Sequence, residues 1–190
     1  MKHAPLVALV LAVACVTLTP ERAAPSIRQL ETQAGLCTAW AVGKARWISA
    51  GHCVALGGGV IGDTPAAVLA VGPADISLLS GPDAPALIVA TEPPPMGATV
   101  ETYGYGNHPV LLLFRGVVMQ NAAVFFADDD VQMLIGGANG MPGMSGGPIL
   151  YRGHVVSIVT GGGVAQGPAH LIGTGVPWES LVAFVQAHVK

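Results

Sequence analysis

From Gly35 onward the chain alternates short apolar runs with Gly, Pro and Asp, and only its last stretch shows helical spacing. Runs at Cys37–Val42, Ala45–Ser49, Ala66–Val71, Ile76–Leu79 and Ala86–Ala90 are four to six residues long and bounded by turn formers. That length and punctuation predict β-strands. Glu92-Pro93-Pro94-Pro95-Met96-Gly97 then breaks the pattern. Proline lacks the N–H that a sheet ladder requires, so three in a row predict an extended connector. A second series follows at Thr99–Tyr105, Leu111–Val118, Ala122–Phe126, Val131–Ile135, Pro148–Tyr151, His154–Thr160 and Leu171–Val176. Many short strands separated by turns point to an all-β barrel or sandwich architecture.

One helix is predicted, at the C-terminal end. Pro177 suits its start, and Trp178, Leu181, Val182, Val185 and Val189 recur at helical spacing. Glu179 near its start and Lys190 at its end complement the helix dipole. Its apolar stripe is expected to pack on the second set of strands. The polar, irregular residues 19–33 read as a linker or arm. The chain then divides into a leader (1–18), that linker, a first β unit (34–92), a connector (93–97) and a second β unit with the helix (98–190).

Apolar residues make up 52% of the 190, enough to bury a core, while only 10% are charged. Gly (26) and Pro (15) are abundant, which favours short strands and turns over long helices. Eight Lys and Arg stand against eleven Asp and Glu, with no local basic cluster, so nucleic-acid binding is excluded as a reading. At the N-terminus, Lys2 and His3 precede an apolar run from Ala4 to Leu18 broken only by Pro5 and Thr17. This resembles an export signal and falls short of the ~20 residues that span a bilayer. Ala12-Val13-Ala14 offers a cleavage site whose product would begin with Cys15. Four alternatives follow: a cleaved signal, a retained anchor, a lipidated Cys15 on a lipoprotein, or a plain apolar core segment. In the first three, the chain is secreted, periplasmic or otherwise extracytoplasmic.

Two cysteines remain after Cys15 is set aside. Cys37 and Cys53 form an even pair in a chain that carries an export signal, to be read as a disulfide or as two buried thiols. Neither cysteine has further ligands at zinc spacing. Asp128-Asp129-Asp130 reads as a solvated hairpin tip, because no Gly or Glu follows at calcium-loop positions.

The chemistry lies in three separated stretches. Trp47-Ile48-Ser49-Ala50-Gly51-His52-Cys53 offers an imidazole, Asp75-Ile76-Ser77-Leu78-Leu79 a carboxylate at the start of an apolar strand, and Gly143-Met144-Ser145-Gly146-Gly147-Pro148 a hydroxyl flanked by glycines. A base, an orienting acid and a nucleophile are the parts of covalent acyl transfer. Asp63 and Asp83 are weaker candidates for the acid, since both sit in turns.

Over residues 34–186 the chain resembles the trypsin/chymotrypsin-like serine proteases, in the compact manner of bacterial and viral members. The resemblance implies two antiparallel six-stranded β-barrels with a C-terminal helix, and a disulfide joining Cys37 to Cys53. It also implies a secreted serine endopeptidase, monomeric and without metal or organic cofactor, that acts on protein or peptide substrates. Ser145 carries over as nucleophile, His52 as general base and acid, Asp75 as its orienting carboxylate, and the amides of Gly143 and Ser145 as the oxyanion hole. Asn139 corresponds to the base of the primary specificity pocket, with Thr160, Gly161 and Gly162 along its wall. No carboxylate stands at that base, which predicts an uncharged residue before the cut. Met144 replaces the Asp that pairs with a new N-terminus in the digestive members, so that zymogen switch is not expected. Two other readings are a catalytically silent binding module on this fold and a lipid-anchored adaptor.

Overall fold

The computed structural model describes residues 17–18, 24–107, 109–125, 131–136, 141–164 and 171–189. Its strands are β1 (Thr17–Leu18), β2 (Ile27–Thr32), β3 (Gly35–Gly43), β4 (Arg46–Ala50), β5 (Gly59–Ile61), β6 (Thr64–Ala66), β7 (Val68–Gly72) and β8 (Ile76–Ser80). They continue with β9 (Thr99–Gly104), β10 (Leu112–Phe125), β11 (Val131–Gly136), β12 (Pro148–Tyr151), β13 (His154–Val164) and β14 (Leu171–Gly175), and α1 (Trp178–His188) closes the order. Two curled antiparallel sheets result. The first runs β6-β5-β2-β3-β4-β8-β7; the second runs β1-β10-β11-β14-β13-β12-β9, with β9 also paired to β10. This is the chymotrypsin-like all-β arrangement expected.

Four details differ from expectation. Each sheet has seven strands among the described residues, not six. Ile27–Thr32, assigned to the linker, is a strand of the first sheet because Ile27 and Leu30 are fully buried there. Ala86–Ala90 forms no strand; it contributes only a single parallel bridge between Val89 and Val155. The runs on either side of residue 120 join into the one long strand β10, whose register shifts twice against β11. Thr17 and Leu18 pair with Leu113 and Leu112 of β10. Residues 1–16, including the cleavage site and Cys15, lie outside the described residues, as do Asp128–Asp130.

The continuous apolar runs have a structural cause. β3, β4 and β8 are neighbours in the first sheet and are buried on both faces. One face turns Ala39, Ala41, Trp47 and Leu79 into the interior of the first sheet. The other presents Trp40, Ile48, Ile76 and Leu78 to a second core shared with Tyr103, Leu150, Val155 and Ile158. A strand covered on both sides loses the in/out alternation of a half-exposed one. Small Ala39 and Ala41 make room inside for Trp47, whose Nε1–H donates to the Pro82 carbonyl at 2.8 Å.

Helix α1 does not rest on the second sheet alone. Leu181 and Phe184 enter the shared core, and Phe184 lies over Gly72 of β7 so closely that a Cβ there would fall 2.4 Å from its ring. Trp178 Nε1–H donates to the Ala90 carbonyl at 3.1 Å, which ties the helix to the segment before the connector as well.

Cys37 of β3 and Cys53 are joined by a disulfide that spans 16 positions. Closing a loop of that length removes about 3 kcal/mol of denatured-state freedom in the chain-entropy account. Replacing both cysteines by serine is therefore expected to lower the unfolding free energy by about that amount. Urea unfolding under oxidising conditions checks it, and an unmoved midpoint would show that the crosslink contributes nothing.

Candidate active site

Strand β4 ends at Ala50, and the chain turns through Gly51 into a single 3₁₀ turn, His52–Val54. The space at 51 is tight: a Cβ there would sit 3.1 Å from Asp75 Oδ1 and 3.3 Å from the Asp75 carbonyl carbon. Register supplies the approach. Ala50 pairs with Ile76 across β4 and β8, so the residues just beyond each strand end, His52 and Asp75, are brought together. Asp75 reaches His52 from an unusual backbone. Ala74 and Asp75 both have positive φ, 60° and 61°. Consecutive left-handed residues that are not glycine each cost roughly 1–2 kcal/mol, a strain that clusters at functional sites.

The Asp75 carboxylate accepts two hydrogen bonds from one residue. Oδ1 takes the His52 backbone N–H at 2.6 Å, and Oδ2 takes the ring at Nδ1, also at 2.6 Å. With the proton on Nδ1, the neutral imidazole keeps its lone pair on Nε2. The hydrogen bond to Asp75 raises the His52 pKa above its ordinary 6.5; burial opposes the rise, and the carboxylate charge supports it. Asp63 and Asp83 are exposed and make no contact with His52. His154 instead bonds the Arg152 carbonyl, and His188 stacks on Phe184.

Ser145 sits in a turn whose peptide groups are nearly all committed. Pro142 and Gly143 occupy the corner, Met144 N–H donates to the Met141 carbonyl at 3.0 Å, and Gly143 has φ +93°. A proline followed by a left-handed glycine is the signature of a type II turn. The Gly147 N–H closes the next turn onto the Met144 carbonyl at 2.9 Å, and the Gly146 N–H donates to the Val159 carbonyl at 2.7 Å. The N–H groups of Gly143 and Ser145 are the exceptions. Neither has an acceptor among the described residues. Beneath the turn, the fully buried Met144 side chain packs with Val100, Phe114 and Ile149. It takes a place where the digestive proteases put a carboxylate.

The first sheet meets this turn directly. Thr38 of β3 donates its N–H to the Ser145 carbonyl at 2.8 Å, and Cys53 Sγ lies 3.9 Å from the same oxygen. Gly146 fits against Ala50, where a Cβ would fall 2.7 Å from the Ala50 nitrogen. The neighbours of His52 on both sides therefore touch the residues around Ser145.

The other expected positions divide. Thr160 is half-buried, with Oγ1 3.3 Å from Thr174 Oγ1; Gly161 and Gly162 continue β13 opposite Thr174 and Gly173 of β14. The three directly follow Val159, whose N–H and carbonyl bind Gly147 and Gly146. Asn139 lies outside the described residues. Tyr103-Gly104-Tyr105-Gly106 seats the Ser145 turn: a Cβ at Gly104 would meet Met144 at 3.1 Å, and one at Gly143 would meet the Gly106 oxygen at 2.2 Å. Thr38 was missed entirely. The available signal was a lone hydroxyl inside the apolar run Cys37–Val42, because a buried polar group must find partners.

The fold is that of the trypsin/chymotrypsin-like serine proteases. The active form of the Rv3671c protease from M. tuberculosis superposes with a TM-score of 0.67 at 20% identity, covering 100% of this chain and 95% of that one. Mouse neuropsin, a serine protease, superposes with a TM-score of 0.70 at 16% identity, covering 92% and 99%. A serine endoprotease from Yersinia pestis gives 0.67 at 16% identity, over 87% of this chain and 63% of that one. The inactive form of the Rv3671c protease matches equally well, at 0.69, so the fold by itself does not decide activity. No protein-family model matches the chain, and no curated protein matches its sequence.

Proposed function

We propose that the protein is an extracytoplasmic serine endopeptidase. One observation carries the reading: Asp75 holds His52 through Nδ1, beside a turn that leaves the N–H groups of Gly143 and Ser145 free of protein acceptors. Ser145 attacks the scissile carbonyl as Nε2 of His52 takes its proton; Asp75 keeps the ring oriented and supports the imidazolium. The Gly143 and Ser145 amides receive the oxyanion as charge develops on it. His52 then protonates the leaving amine, giving an acyl-enzyme that water resolves by the same steps in reverse. The substrate is a protein or peptide laid beside Thr160, Gly161 and Gly162, with an uncharged residue before the cut.

Met144 bears on activation. Its side chain is fully buried in an apolar cluster, so the turn is supported from below without an ion pair. No freshly cut N-terminus is required to form the site. The Cys37–Cys53 bond fits an oxidising compartment, and among the described residues no helix is long and apolar enough to cross a membrane. A purified chain of residues 20–190 treated with a fluorophosphonate should gain one adduct, located by mass spectrometry on Ser145. Absence of the adduct would favour a silent binding module, and a peptide-library profile dominated by Arg, Lys or Glu would overturn the assigned preference.

The raised His52 pKa fixes the sign of the pH response. Only the neutral imidazole accepts the serine proton, so kcat/KM should climb with pH through a midpoint above 6.5. Stability runs the other way. The folded value exceeds the unfolded one, so the pair's contribution is complete below pH 6.5 and fades as pH rises through the raised value. The ring is 47% exposed, so solvent screening keeps that contribution small. Asp75→Asn should move the kinetic midpoint down toward 6.5 and cut turnover by roughly four orders of magnitude. A pH–rate profile checks both, and an unchanged midpoint would remove Asp75 from its role.

A further inference from the structure

We infer that Thr38 is a positioning residue for the oxyanion site, one that fixes the direction of the Ser145 N–H from the opposite sheet. This rests on the serine-protease reading above.

Thr38 is fully buried on β3, and all of its polar atoms are engaged. Its hydroxyl donates to the Gly143 carbonyl at 2.9 Å and accepts the Tyr105 N–H at 3.0 Å. Its backbone N–H donates to the Ser145 carbonyl at 2.8 Å, and its own carbonyl accepts Ser49 Oγ–H at 2.8 Å. Two of these bonds fall on alternate peptide planes of the nucleophile turn. The plane between Gly143 and Met144 is held at one end by the Thr38 hydroxyl and at the other by the Met144 N–H bond to Met141. The plane between Ser145 and Gly146 is held at one end by the Thr38 N–H and at the other by the Gly146 N–H bond to Val159.

Between them lies the plane that carries the Ser145 N–H. Its carbonyl, on Met144, accepts the Gly147 N–H, and its N–H points at no protein atom among the described residues. A peptide plane whose two neighbours are each fixed at both ends has little freedom to turn. The donor is therefore aimed before substrate arrives, and the oxyanion finds it without a reorganisation step. The Thr38 side chain supplies one of those four restraints, and it also satisfies Tyr105, which Gly104 and Gly106 flank beneath the turn.

The test compares Thr38→Val, which keeps shape and removes the hydroxyl, with Thr38→Ser, which keeps the hydroxyl. Thr38→Val is expected to lower kcat by about 10-fold to 100-fold with little change in KM, the size of effect seen when a catalytic group is slightly misplaced. A peptide aldehyde, which binds as a tetrahedral adduct bearing the oxyanion, should weaken by the same factor, while a product-like peptide acid binds as before. Thr38→Ser should recover most of the loss in both. Should Thr38→Val fail to fold, Thr38→Ala beside Thr38→Ser reads the same hydroxyl.

Equal kcat in the valine and wild-type proteins would overturn the inference. So would a loss that serine does not repair and that leaves aldehyde affinity intact, since that pattern marks a packing role. Failure of the protease reading looks different: the wild-type chain itself would neither take the fluorophosphonate nor cleave peptides, and the inference would fall with it.

Discussion

Replacing Ser145 by Ala is expected to reduce peptide turnover by roughly four to six orders of magnitude, and His52→Ala by about the same. The equality matters more than the size. If the two side chains act as one unit, the double variant should be scarcely slower than either single one, because the unit is lost with its first member. Two additive losses would mean that the residues work separately, which the proposed proton transfer forbids. Folding offers no alternative explanation at position 145. The Ser145 side chain makes no hydrogen bond among the described residues, while its carbonyl, which the substitution retains, carries the contact with Thr38. The alanine protein should therefore match the wild type in circular dichroism and urea midpoint. A clear loss of stability there would show that the hydroxyl serves the fold.

Gly146→Ala is the second large effect expected, and it acts on stability and activity together. Gly146 has φ +84°, a region that side-chain-bearing residues avoid. The added Cβ would fall 2.2 Å from Ser49 Oγ and 2.3 Å from the Thr38 oxygen. Both are atoms of strands buried on two faces, so they cannot recede without moving the first sheet. Overpacking of about 1–3 kcal/mol adds to backbone strain of similar order. A loss near 3–5 kcal/mol follows, enough to threaten a domain whose whole stability is commonly 5–15. Urea unfolding measures it. A midpoint within error of the wild type would mean that the sheets do not meet here as described.

One contact of the candidate site, between His52 and Asp75, was legible in the sequence. His52, Asp75 and Ser145 stood in short, distinctive contexts, and the carboxylate–imidazole contact falls on the residues expected. Element type was legible wherever apolar runs were long and bounded by turns, as at β3, β8 and β12. Where strands are two or three residues long, as at β5 and β6, no period has room to appear. Ile27–Thr32 misled because Arg28, Gln29, Glu31 and Thr32 make it polar in composition, although only Ile27 and Leu30 need burial to bind it to the sheet. Ala86–Ala90 misled in the opposite sense, being apolar yet forming only one bridge, Val89 to Val155, in place of a strand ladder. The Ser145 turn shows a different limit. Glycines predicted that backbone would be bare at Gly143 and Ser145, but which N–H groups stay unpaired depends on bonds from Thr38, Val159 and Met141, distant in sequence or hidden in a turn.

The wall formed by β3, β4 and β8 has a consequence for survival. A peptidase that cuts loosened chain becomes its own prey whenever it opens. Protein segments usually open piecemeal, and those with one exposed face are the first to be nicked. Here the strands that present His52 and Thr38 belong to two cores at once, so neither core can come apart while the other stays whole. For the peptidase proposed above, self-digestion would then wait for the rare event in which the entire molecule unravels, and the lifetime of the chain among its own copies would be set by that event.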